Sequence, residues 1–117
     1  MQPKRIASLA LECIEDKKGE APVVLDVAKL TTMAHYFVIA HGNSGPQVRA
    51  ICNHLLATFK ERKVPVYHSE GLDTAQWVLV DAGPVIIHVF HRDKRDFYSL
   101  ESLWGGVRPD TAEDSEA

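Results

Sequence analysis

Cysteine is scarce in this chain: two residues among 117, Cys13 and Cys52, each inside an apolar pattern of helical period. Both read as reduced core thiols, because free cysteine behaves as a small hydrophobe and a nucleophilic one needs a nearby base in an electropositive setting. Long hydrophobic runs are missing as well. The longest, Tyr36 to Ala40, falls far short of the ~20 residues of a membrane-spanning helix. Lys4-Arg5 precede six uncharged residues before Glu12, too few for the roughly 7–15-residue core of a signal peptide. Acids at 12, 15 and 16 argue against a transit peptide. The expectation is a mature cytosolic protein.

A dominant charge of one sign is also lacking. Thirteen Lys and Arg face 16 Asp and Glu, a formal net charge of −3, which gives no sign of bulk electrostatic binding to nucleic acid. Four of the acids (Asp110, Glu113, Asp114, Glu116) lie in the last nine residues, where there is no base. Removing them leaves 13 basic residues against 12 acidic, so the body is close to neutral. The expected division is one folded domain over 1–106 and a disordered acidic tail over 107–117, which has too little apolar surface to offset its ordering entropy.

What is present is regular patterning. Pro3 suits a first helical turn, and Ile6, Leu9, Ala10, Cys13 and Ile14 form one apolar stripe, with Lys17-Lys18 and then Gly19 as the stop. Val23 to Val27 and Tyr36 to Ala40 read as strands. Ser44 is placed to cap a helix beginning near Pro46, with Gln47 at capping-box spacing. Val64 to His68 is a strand weakened by Pro65 and is expected at an edge. Trp77 to Asp81 and Val85 to Phe90 are strong strands joined by a hairpin at Ala82-Gly83-Pro84. Arg92 to Trp104 returns to helical spacing. The order α-β-β-α-β-β-β-α predicts an α/β domain with a mixed five-stranded sheet, in which strand two, the second helix and strand three can form a right-handed crossover.

Signals for chemistry are weak. Gly42-Asn43-Ser44 is a strand-to-helix turn of the kind that favours an anion and that nucleotidyltransferases use to hold a triphosphate. Those enzymes also need converging carboxylates for magnesium. Here Gly45 to Leu56 contains no acid and Asp81 stands alone, so a capped helix is the plainer reading. The six histidines are scattered, and His88 and His91, three apart in a strand, point to opposite faces. No metal, cofactor or enzymatic activity is implied. The last hairpin, in contrast, is apolar on both faces although one suffices to cover helices, and aromatics gather with arginines in the last third. That composition favours a protein-binding surface.

The whole pattern resembles the ribosomal silencing factor family, also called Iojap-like. Leu25-Asp26-Val27, then Met33 to Ala40 running into Gly42-Asn43-Ser44 and Gln47 to Ile51, carry the first half; Glu70-Gly71, Trp77 to Asp81, Val85 to Phe90 and Arg95 to Trp104 carry the second. Two positions depart from the usual pattern: His35 stands where an acid is common, and His41 where a small residue is. The resemblance implies a shape related to nucleotidyltransferases without their catalytic carboxylates. It also implies binding to the large ribosomal subunit through ribosomal protein L14, repression of translation by blocking subunit joining, and a frequent homodimer. The candidate docking residues are Glu70, Trp77, Asp81, His88, Arg95, Tyr98, Leu100, Leu103 and Trp104, with no dependence on nucleic acid or a membrane. The competing class is a nucleotidyltransferase-like nucleotide-binding protein or enzyme; a dimeric scaffold for an unrelated partner is a third.

Overall fold

The computed structural model describes residues 1–94. The apolar stripe beginning at Ile6 becomes helix α1 (Pro3–Asp16), with Ile6, Ala7, Leu9, Ala10, Cys13 and Ile14 buried. Its end differs from the expectation. Lys18, not Gly19, takes the left-handed backbone conformation, at φ 60°, while the Gly19 N–H donates to the Ile14 carbonyl at 2.8 Å. The glycine is demanded by space: a Cβ there would lie 2.5 Å from the Ile14 Cγ2 methyl.

Strands β1 (Glu20–Asp26) and β2 (Tyr36–Gly42) follow, both longer than their apolar runs. They pair antiparallel, with a break in register between Glu20 and Val23 around Ala21-Pro22. Helix α2 (Gly45–Glu61) starts where Ser44 was placed to cap it: the Ser44 Oγ accepts from the Gln47 N–H at 3.2 Å. The Gln47 side chain reaches back to the Asn43 N–H at 2.7 Å and also donates to the Lys17 and Lys18 carbonyls. One residue thus satisfies open backbone groups at the start of α2 and the end of α1.

The third strand lies later than expected, as β3 (His68–Glu70). Val64 is instead buried against the end of α2, its N–H bonded to the Phe59 carbonyl at 2.8 Å after Lys63 turns left-handed at φ 62°. Helix closure takes the first residue of the apolar run, and Pro65 has no N–H for a ladder. Strands β4 (Trp77–Asp81) and β5 (Val85–His91) form the expected hairpin.

The five strands lie in the order β1-β2-β5-β4-β3. β2 and β5 are parallel neighbours, and the other pairs are antiparallel. The crossover through α2 therefore joins two strands of like direction, as expected, but β5 and β4 stand between them. Burial explains the insertion: Val85 to Phe90 are all buried, which suits a central place, while His68-Ser69-Glu70 is polar and suits an edge. Both helices pack on one face, against Val38, Ala40, Val78, Val80, Val85, Ile87 and Val89. The expected last helix lies, from Arg95 onward, outside the described residues, as does the tail over 107–117.

Candidate protein-binding face

Because strand side chains alternate, each residue that faces a helix leaves its neighbour on the other face. On β4 those neighbours are Trp77 and Leu79; on β5 they are Ile86, His88 and Phe90, joined from β1 and β2 by Leu25, Phe37 and Ile39. The register sets Trp77 opposite Phe90 and Leu79 opposite His88. Among the described residues four rings gather there. Phe37 and His88 meet edge to face with centroids 5.0 Å apart, Trp77 lies 5.3 Å from Phe90, and His88 and Phe90 are nearly parallel at 6.4 Å.

His88 is buried, 4% exposed, beside a half-buried Trp77. The indole Nε1–H donates to His88 Nδ1 at 3.1 Å. An indole can only donate, so Nδ1 must be the unprotonated nitrogen and the imidazole proton sits on Nε2. That Nε2 is buried and makes no hydrogen bond among the described residues. Burial also pushes the His88 pKa down from 6.5 to about 4, because a charged ring would lose its hydration. At neutral pH the ring is an uncharged acceptor for Trp77.

Trp77 and Leu79 border a cleft of about 170 Å³ completed by Glu70 and Gly71. Gly71 takes a left-handed conformation, φ 94°, and a Cβ there would fall 2.1 Å from the Trp77 carbonyl oxygen, so a larger residue cannot occupy this wall. The loop after it is held from behind by Arg49 of α2, which donates through Nε to the Leu72 carbonyl at 3.1 Å and through Nη2 to the Asp73 carbonyl at 2.7 Å. Glu70 stands exposed at the rim, 2.6 Å from His68 Nε2. Asp81 closes the hairpin, its Oδ1 accepting from the Gly83 N–H at 2.8 Å.

Of the nine candidate residues, Glu70 and Trp77 share the cleft, His88 lies directly behind Trp77, and Asp81 sits at the hairpin end of β4. Arg95, Tyr98, Leu100, Leu103 and Trp104 lie outside the described residues. Leu79 and Arg49 were not among the candidates. Leu79 could have been found from its two-residue offset from Trp77; the reach of Arg49 to a loop 23 residues away leaves no local mark.

The other chemical candidates have ordinary occupants. In the Gly42-Asn43-Ser44 turn, side chains of the protein already take the Asn43 and Gln47 N–H groups, and the Asn43 amide donates to Glu20 at 2.7 Å. Cys13 and Cys52 are buried, and burial raises both thiols, that of Cys52 to about 12. His41, one of the two unusual positions, lies 3.4 Å from Glu20; at the other, the His35 N–H donates to the Pro84 carbonyl at 2.7 Å. Among the described residues no group of three or more His, Cys, Asp or Glu converges to hold a metal, and no helix is long and apolar enough to cross a membrane.

The family model described as "Ribosomal silencing factor during starvation" matches residues 1–117. The chain belongs to the ribosomal silencing factor family. It is 44% identical over 105 residues to "Ribosomal silencing factor RsfS" of Bacillus subtilis, covering 90% of this chain and 89% of that protein. It is 42% identical over 112 residues to the protein of the same name from Chromobacterium violaceum, covering 96% and 92%. A crystal structure of a Chromobacterium violaceum protein superposes with a TM-score of 0.88 at 42% identity, covering 96% of this chain and 93% of that one. Membership of the silencing factor family implies ribosome-associated regulation of translation.

Proposed function

We propose that this protein represses translation in the cytoplasm by docking on the large ribosomal subunit, through ribosomal protein L14, and so obstructing the approach of the small subunit. Family membership supports the ribosomal target. The observation that carries the choice of surface is the half-buried Trp77 beside an acid-rimmed apolar cleft, on the sheet face away from α1 and α2. Large aromatic side chains in such settings dominate protein–protein binding. Glu70 at the rim suits a basic partner and acts more on orientation and association rate than on affinity. The remaining docking contacts come from Asp81, Arg95, Tyr98, Leu100, Leu103 and Trp104. The mechanism is steric, with no bond made or broken, and a near-neutral body fits a target that is a protein patch and not RNA phosphate.

The test is co-sedimentation with isolated large subunits, followed by a subunit-joining gradient. The protein should bind large subunits and lower the yield of joined particles. Trp77→Ala should remain folded by circular dichroism yet lose co-sedimentation; a folded Trp77→Ala that binds as before would overturn the assignment of this face. The homodimer implied by the family resemblance is tested by sedimentation equilibrium of the free protein.

A further inference from the structure

The Trp77–His88 pair poses a question that packing alone leaves open. Position 88 lies among Phe37, Trp77 and Phe90, where an apolar ring would fill the same space. An imidazole there carries a buried N–H with no acceptor among the described residues, which costs stability, since a buried donor loses its hydrogen bond to water without replacement. What the imidazole supplies in return is one thing a phenyl ring cannot: an acceptor at Nδ1 for the indole N–H of Trp77.

We infer that His88 is a positioning residue for Trp77, fixing the attitude of the indole so that this site presents ring surface, and not the indole N–H, to its partner. This inference rests on the docking reading given under "Proposed function" and names what that site recognises. Packing near Phe90 at a centroid distance of 5.3 Å and the bond to Nδ1 hold the ring in one orientation. The part of Trp77 that borders the cleft with Glu70, Gly71 and Leu79 is then apolar. The complementary group on the partner is therefore an aliphatic or flat side chain laid on the ring, with no acceptor directed at Nε1. A fixed indole also binds without first losing rotamer freedom, which strengthens association.

Three substitutions test this. His88→Phe keeps the ring volume and removes the acceptor; His88→Gln moves the polar end one bond outward, toward the place of Nε2; His88→Asn leaves an oxygen near the place of Nδ1. The readouts are large-subunit binding, thermal unfolding, and hydrogen exchange of the Trp77 indole N–H by NMR, its signal assigned by its loss in Trp77→Phe. His88→Phe should unfold at a temperature no lower than the parent, lose protection of the indole N–H, and bind large subunits roughly tenfold more weakly, the scale of one hydrogen bond. His88→Asn should restore protection and most of the affinity; His88→Gln should restore neither, and replaces the Phe variant in the comparison if that one fails to fold. A role in stability alone predicts the reverse for His88→Phe, a lower unfolding temperature with normal binding by the folded fraction, and that result overturns the inference. Equal weakening by Asn and Phe overturns it too. If the parent protein does not bind large subunits, the docking reading fails separately, and unchanged indole protection in His88→Phe would still refute the positioning role.

Discussion

The two faces of the sheet are built from the same strands and solve different problems. On β4, Val78 and Val80 turn to the helices while Trp77 and Leu79 turn away; on β5, Val85, Ile87 and Val89 oppose Ile86, His88 and Phe90. The helix-covered face has small branched side chains that interlock with helix ridges, and its buried side chains are apolar. The other face collects rings and keeps a buried imidazole whose N–H has no partner among the described residues. Where folding is the sole demand, polar atoms are excluded. On the face proposed for docking, a polar pair is tolerated at a cost.

The sharpest way to break the comparison is to damage the helix-covered face. Phe59, on the sheet-facing side of α2, is fully buried, and Phe59→Ala should lower stability by about 3–5 kcal/mol through lost burial and a cavity, measured by urea denaturation.

Acid should act on the other face next. His88 titrates at about 4 in the fold against 6.5 ordinarily, so between those values the unfolded chain binds a proton that the folded chain refuses. The stabilisation from keeping this ring neutral is complete above pH 6.5, drains as pH falls to about 4, and is level below. Over that window the parent should lose up to about 3 kcal/mol more than His88→Phe does, as read from denaturation curves at stepped pH. A loss of equal size in both proteins would refute this account.

Smaller effects refine the contrast. Ser44→Ala removes a capping acceptor from α2 and should cost about 1 kcal/mol without changing partner binding, which separates helix stability from docking. Glu70→Gln should be smallest in stability: its link to His68 is exposed on both sides, and such pairs contribute little. Its melting temperature should match the parent, while association with large subunits slows at low salt and differs less at high salt.

Features set by local chemistry were legible in the sequence, and those set by distant contacts were not. Period 3.6 placed α1 and α2, the Ser44-to-Gln47 spacing placed a cap, and β-branched runs around Ala82-Gly83-Pro84 placed the hairpin. Strand order escaped, because the insertion of β5 and β4 between β2 and β3 depends on which strand is most buried in the whole assembly. β3 shifted because Val64 had two possible uses, and closing α2 against Phe59 won. At the candidate site, Trp77 and Glu70 stood out by residue type and alternation. The bond from the Trp77 indole to His88 did not, since a buried histidine looks the same in sequence whatever ring N–H it accepts from.

The outer strands bear on how this molecule behaves in a crowded solution. One border of the sheet is three residues long; the other carries Pro22 and an irregular register at Ala21. Neither offers a long, straight row of backbone donors and acceptors on which a stray strand could be templated. Among the described residues, then, the sheet borders are poorly shaped for copies of this protein to join edge to edge into a continuous sheet at high concentration.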